Sequence, residues 1–114
     1  MMRTKRRYIA VKVANLPTDG FEHLEDGLYR ALAEELGAMV YHKANPKIIR
    51  FGKHSFILRV GLEKYKDTIA ALALIKRIND TDLAFYTIGS SGTIKALTSN
   101  PIEFPKEKFN SHRK

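Results

Sequence analysis

Ile48-Ile49-Arg50-Phe51-Gly52-Lys53-His54-Ser55-Phe56-Ile57-Leu58-Arg59-Val60 holds two apolar runs separated by a short polar segment that contains a glycine. β-Branched and aromatic residues suit a half-buried pleated surface, and a short loop with Gly can reverse the chain, so the stretch predicts a β-hairpin. Its strands are residues 48–51 and 56–60, joined by Gly52-Lys53-His54-Ser55, and it is basic at Lys47, Arg50, Lys53 and Arg59. What decides the fold is that a helical pattern lies on each side of this hairpin, with a further strand beyond each helix.

On the C-terminal side, Ala71, Leu72, Ile75 and Ile78 follow helical spacing within residues 62–78, while Lys64, Lys66, Asp67, Lys76 and Arg77 fall elsewhere around the helix. Asn79-Asp80 is expected to end it. On the N-terminal side, Phe21, Leu24, Leu28, Ala31, Leu32 and Leu36 share one helical face. Asp19 and Glu22 have capping-box spacing, so this helix should begin near residue 19. The acidic cluster Asp19, Glu22, Glu25 and Asp26 then complements the helix dipole, a better account of it than a metal site. Gly37 fits the position just past the last turn, and residues 38–46, apolar at Met39, Val40 and Tyr41 and then polar, are assigned no type.

The outer strands complete the order. Residues 8–13 alternate, with Ile9, Val11 and Val13 on one face and Tyr8, Ala10 and Lys12 on the other, until Asn15-Leu16-Pro17 ends the run. Residues 83–88 form the last long strand and lead into Gly89-Ser90-Ser91-Gly92, with a short edge segment expected at 93–97. Strand, helix, strand, strand, helix, strand predicts an α+β, ferredoxin-like and RRM-like sandwich: an antiparallel sheet with both helices on one face and the other face left for a partner. One domain spans residues 8–98, between basic tails at 1–7 and 99–114.

Composition narrows the partners. Lys and Arg number 20 against 12 acidic residues, a formal charge of +8 with a pI near 9.8, which favours a polyanion through counterion release. Arg3, Lys5, Arg6 and Arg7 crowd one terminus and Lys106, Lys108, Arg113 and Lys114 the other. Zero Cys removes disulfides, thiol nucleophiles and thiolate zinc sites, and is compatible with a cytoplasmic location. The longest apolar run, residues 69–75, is far short of the roughly 20 residues that cross a bilayer, and the basic start lacks the apolar segment of a secretory signal. No membrane partner is expected.

Gly89-Ser90-Ser91-Gly92-Thr93-Ile94-Lys95-Ala96 concentrates glycines, hydroxyls and a lysine behind an apolar strand. Such a stretch can aim backbone and hydroxyl donors at a phosphate, with Lys95 adding charge; it can equally be a plain turn. The predicted RNA-binding residues are therefore Lys5, Arg6 and Arg7 in the arm, Lys47, Arg50 and Lys53 in the hairpin, and Ser91, Gly92, Thr93 and Lys95. Val11-Lys12-Val13-Ala14-Asn15-Leu16 echoes the first strand of an RNA-recognition motif, but Lys12 stands where a stacking ring is expected and Gly52-Lys53-His54-Ser55-Phe56 lacks the aromatic pair of the third-strand motif. Contacts to phosphate and shape are expected instead of base stacking, with Tyr8 and Tyr86 more often packing residues than surface rings.

No catalytic constellation emerges. His23, His42, His54 and His112 are scattered without ligand spacing, and the glycine-serine stretch matches neither a nucleophile elbow nor a Walker loop. Neither a catalytic residue nor a metal ligand is predicted. Another RNA-scaffold or ribosome-associated protein, and a small ferredoxin-like ligand-binding enzyme or sensor, are the alternatives.

Ser91-Gly92-Thr93-Ile94-Lys95-Ala96, reached from an apolar strand in a small basic protein, resembles the C-terminal signature of the archaeal ribonuclease P protein component 2 family, counterpart of a eukaryotic subunit shared by ribonucleases P and MRP. The resemblance extends through Arg7-Tyr8-Ile9-Ala10-Val11-Lys12-Val13, Leu36-Gly37, Ile48-Ile49-Arg50-Phe51, the strand at 56–60 and Ala71-Leu72. The chain departs from the family at Leu97, where Cys is expected, and at Leu36-Gly37-Ala38-Met39, in place of an acidic, Gly-rich passage. The resemblance implies a subunit that binds and stabilises ribonuclease P RNA for removal of the 5′ leader of precursor tRNA, with the catalytic Mg2+ ions in the RNA and no cofactor bound by the protein. It further implies pairing with a TIM-barrel-like ribonuclease P protein subunit as a heterotetramer with two copies of each.

Overall fold

A computed structural model describes residues 5–15, 24–52 and 54–94. The main sheet is formed by β1 (Arg6–Ala14), β2 (Lys47–Phe51), β3 (Ser55–Gly61) and β6 (Ala84–Ser91), in the order β2-β3-β1-β6 with every neighbour antiparallel. Helices α1 (Glu25–Leu36) and α3 (Tyr65–Leu74) lie on one face, where Leu24, Leu28, Leu32, Ala71 and Leu72 pack against Ile9, Val11, Val13, Phe56, Leu58, Val60 and Phe85. This is the expected ferredoxin-like α+β arrangement. Phe56 and Phe85 meet edge to face beneath β1, with ring centroids 5.9 Å apart, a geometry aromatic quadrupoles favour.

Local structure departs from expectation where tertiary contacts override sequence pattern. Residues 38–46, left without a type, contain a third helix, α2 (Ala38–Ala44). Gly37 alone separates it from α1, at φ 83° and ψ 158°, a conformation essentially confined to glycine. Gly37 N–H donates to Ala33 O and Gly37 O accepts from Tyr41 N–H, so one residue closes one helix and opens the next. Asn45, at φ 45°, ends α2, and Pro46 prevents its continuation. α1 starts at Glu25 with no side-chain cap on Leu24; the expected cap pair Asp19 and Glu22 lies outside the described residues.

The second long helix is shorter than its periodicity suggests. A 3-10 turn (Leu62–Lys64) precedes α3, which stops at Leu74, and Ile78 belongs to β4 (Arg77–Ile78), paired with β5 (Thr81–Asp82). Asn79 and Asp80 both have positive φ, 50° and 69°, as a two-residue turn matched to strand twist requires. Ile75 and Ile78 are still buried, because the chain leaves the helix along the same core surface. The strand at the N-terminus begins at Arg6, so Arg6 and Arg7 belong to the sheet and not to a tail. Among the described residues no helix is long and apolar enough to cross a membrane.

Two bulges set which side chains share a face. In β2 the register shifts between Ile48, opposite Leu58, and Arg50, opposite Ile57. In β6 it shifts between Thr87, opposite Val11, and Gly89, opposite Ala10. An extra residue reverses the alternation downstream, turning Phe51 toward the helices and Arg50 and Ser91 away from them.

Tyr29 on α1 anchors the start of β2: its O–H donates to Glu25 Oε2 at 2.6 Å, and Ile48 N–H donates to Tyr29 Oη at 2.9 Å. Burial and then the Glu25 carboxylate raise the phenol from 10.0 to about 12. The native state thus favours the neutral phenol, so the stability this contributes is complete below pH 10 and is lost as pH rises from 10 toward 12. Tyr29→Phe should cost about 1 to 3 kcal/mol at neutral pH by leaving the Ile48 N–H without its acceptor, and the gap to wild type should narrow across that alkaline window in denaturant titrations. Gly27→Ala gives the second check. Helix propensity alone favours Ala, but the added Cβ would clash with the buried Ile78 Cγ2 and meet Asn79 Nδ2 at 3.0 Å. A loss of about 1 to 3 kcal/mol from overpacking is expected, read as a lower thermal midpoint.

Candidate nucleic-acid interface

The four strands of the main sheet carry six cations, Arg6, Arg7, Lys12, Lys47, Arg50 and Arg59, and no acid. α1, by contrast, carries Glu25, Asp26, Glu34 and Glu35 against Arg30. Charge is therefore divided between the layers, with the sheet as the positive one. Register assigns the side chains: residues opposite one another in an antiparallel ladder point to the same face. Lys47, Arg59, Tyr8 and Ser91 form one row across all four strands on the face away from the helices; Arg50, Ile57, Ala10 and Gly89 form the next, followed by Ser55, Lys12 and Tyr86.

This face is not left wholly open, as the sequence reading expected. Ala10 and Ile57 are fully buried there, with Tyr8, Ile49, Ile88 and Ile94 packed around them. The chain leaving β6 places Ile94 over the middle of the sheet, so an apolar plug occupies the centre and cations surround it. Tyr86 is 56% exposed beside Lys12, so a ring expected to pack is on the surface, while Tyr8 packs against the plug.

The predicted residues divide as follows. Lys47 and Arg50 lie on the sheet face, and Arg6 follows the alternation of Tyr8 onto it. Lys5 stands just before β1, exposed, its carbonyl accepting from Leu62 N–H at 2.9 Å. Arg7 points to the helix side, its guanidinium carbon 4.9 Å from the Tyr65 ring centroid and its Nη2 3.4 Å from Ser90 Oγ. Its Nε is buried without a hydrogen-bond partner among the described residues. Those contacts give Arg7 a packing role on the helix side of the sheet. Lys53 and Lys95 lie outside the described residues.

Gly89, Ser90 and Ser91 are strand residues paired with Ala10, Ile9 and Tyr8, so this first part of the stretch is strand and not turn. Thr93 N–H donates to Ser91 Oγ at 3.3 Å, turning one candidate donor inward. Gly92 has no positive φ and a Cβ there would meet nothing within 4 Å, so neither strain nor close packing requires glycine at that position. His42 and His54 are exposed, and His23 and His112 lie outside the described residues. Among the described residues, no three His, Asp or Glu side chains are grouped to hold a metal ion.

Three cations outside the predicted set also lie on this face or at its edge: Lys12, Lys43 and Arg59. Lys12 and Arg59 were legible from strand alternation, whereas Lys43 lies on α2, which had no assigned type.

The chain is thus an antiparallel split β-α-β sandwich whose main sheet is cationic and carries no acid. The Rpp14/Pop5 family model matches residues 7–102, and the chain belongs to that family. It is 32% identical over 98 residues to the ribonuclease P protein component 2 of Pyrococcus furiosus, covering 84% of this chain and 82% of that protein. Identity to the protein of the same name from Thermococcus gammatolerans is 34% over 98 residues, with the same coverage. The protein of that name from Methanosarcina barkeri is 28% identical over 103 residues, 90% of this chain and 76% of its own length. In three dimensions the chain is similar to one in the cryo-EM structure of yeast ribonuclease MRP, at a TM-score of 0.57 and 8% identity, covering 82% of this chain and 78% of that one.

Arg7→Ala should lower stability by about 1 kcal/mol through loss of the cation–π contact and leave polyanion affinity unchanged. Lys12→Ala should do the reverse. Thermal melts paired with binding to immobilised RNA at two salt concentrations separate the two roles; a large affinity loss in Arg7→Ala would return it to the interface.

Proposed function

We propose that this chain acts as a protein subunit of ribonuclease P, binding the catalytic RNA and stabilising it for removal of the 5′ leader of precursor tRNA. The observation that carries this reading is the acid-free cationic sheet in a member of the Rpp14/Pop5 family. Five strand cations on the far face, Arg6, Lys12, Lys47, Arg50 and Arg59, opposed by no carboxylate of the main sheet, suit phosphate contacts, which hold a protein in register on folded RNA without reading its sequence. The protein supplies neutralisation and shape, and the metal-dependent chemistry belongs to the RNA with its Mg2+ ions. We further propose that the chain holds no cofactor or catalytic group of its own, works in the cytoplasm, and pairs with a TIM-barrel-like ribonuclease P protein subunit, two copies of each forming a heterotetramer. Support for that pairing is the family membership alone.

Affinity purification of the full chain from its native cells, followed by sequencing of the bound RNA, tests the assignment: ribonuclease P RNA should be enriched, and enrichment of ribosomal RNA instead would make the chain a different RNA-scaffold protein. Purified protein freed of RNA should not cleave precursor tRNA at any Mg2+ concentration. Cleavage that survives stringent purification would place catalytic groups in the protein.

A further inference from the structure

Where β1 begins, β3 ends and α2 hands over to β2, Arg6, Lys43 and Arg59 converge on a solvent-open cavity of about 160 Å³, whose wall is completed by Ala44, Asn45, Val60 and Gly61. Its lining contains no acid. None of the three cations has an ion-pair or hydrogen-bond partner among the described residues. Lys47 stands directly opposite Arg59 on the neighbouring strand, a like-charge cross-strand pair of the kind that destabilises a sheet.

We infer that this corner is a phosphate-binding site, filled by one backbone phosphodiester of the RNA; the inference rests on the ribonuclease P reading and locates a contact within it. The balance of charge favours an anion. The carbonyl end of α2 faces the cavity, since Lys43 O lies 3.0 Å and Ala44 O 3.7 Å from the position a Cβ on Gly61 would take. That helix end contributes roughly half a negative charge at most, against the full charges of three side chains. The absence of a side chain at Gly61 also keeps the cavity open, because any Cβ would press on Lys43 O. Arg6 and Arg59 supply forked donors suited to phosphate oxygens, and Lys43 a mobile point charge. A bound phosphate would also relieve the repulsion between Lys47 and Arg59, which the fold otherwise tolerates without compensation from any strand carboxylate.

The test uses the full chain and ribonuclease P RNA, comparing Arg6→Gln/Lys43→Gln/Arg59→Gln with a control that removes equal charge from outside the main sheet and the cavity, Arg30→Gln/Lys66→Gln/Lys76→Gln. The cavity variant should bind at least about tenfold more weakly at near-physiological salt. The slope of log affinity against log salt should become shallower by about 0.7 to 0.9, the contribution of one phosphate. The control should change neither. Equal losses in the two variants would reduce the corner to general basicity and overturn the site; so would unchanged binding in the cavity variant. Failure of the wild-type chain to bind this RNA at all would overturn the ribonuclease P reading together with the site. Should the triple variant not fold, Lys43→Gln alone, at an exposed position, must still weaken binding against Lys66→Gln. Inorganic phosphate added to the protein without RNA should shift the amide resonances of Asn45 and Gly61; shifts there with no effect of the variant on RNA binding would mark an adventitious ion only.

Discussion

The ladder between β1 and β3, running from Arg6 opposite Gly61 to Lys12 opposite Ser55, is the constraint on which the other elements depend. β1 is flanked on both sides, by β3 and β6, and is covered on both faces: Ile9 and Val11 are fully buried against the helices and Ala10 against the plug. A strand enclosed in this way tolerates no slip, because moving the register by one residue would send Ile9, Val11 and Val13 to the cationic face and Lys12 into the core. Holding that register also places the backbones of residues 59–61 beside residues 6–8, which creates the cationic corner at the end of the sheet.

The division of charge between layers follows from the same architecture. α1 carries four carboxylates, while every cation of the main sheet except Arg7 projects to its far side and the strands of that sheet carry no acid. The cost of so many like charges on one surface is highest where two are directly opposed, at Lys47 and Arg59, and falls when a polyanion takes the place of the missing carboxylates. The total of +8 does not show this grouping, which the proposed role as a ribonuclease P subunit puts to use.

Bulges and glycines do the positioning. The extra residue in β6 turns Ser90 toward Arg7 and Ser91 toward Tyr8, so two adjacent serines serve opposite faces of the sheet. The extra residue in β2 does the same for Phe51, which joins the core, and Arg50, which joins the cations. Gly37 allows two helices to meet at a single residue, and that brings Lys43 to the end of β3.

The sequence by itself determined the hairpin, the outer strands, the two main helices, their order and hence the sandwich, because burial on one face imprints a period of two or of 3.6 on the residues themselves. The resemblance carried by Ser91-Gly92-Thr93-Ile94-Lys95-Ala96 led to the family, although the structure assigns the beginning of that stretch to a strand end and an apolar plug. Only the tertiary structure decided where α3 stops, since Ile75 and Ile78 remain buried whether the chain is helical or extended and periodicity cannot separate the two. It alone also decided that Arg50 shares a face with Lys47 and Arg59, because a bulge reverses strand alternation without leaving a mark in composition. The convergence of Arg6, Lys43 and Arg59 is a matter of long-range register between β1 and β3 and of a one-residue helix junction, neither of which local pattern records.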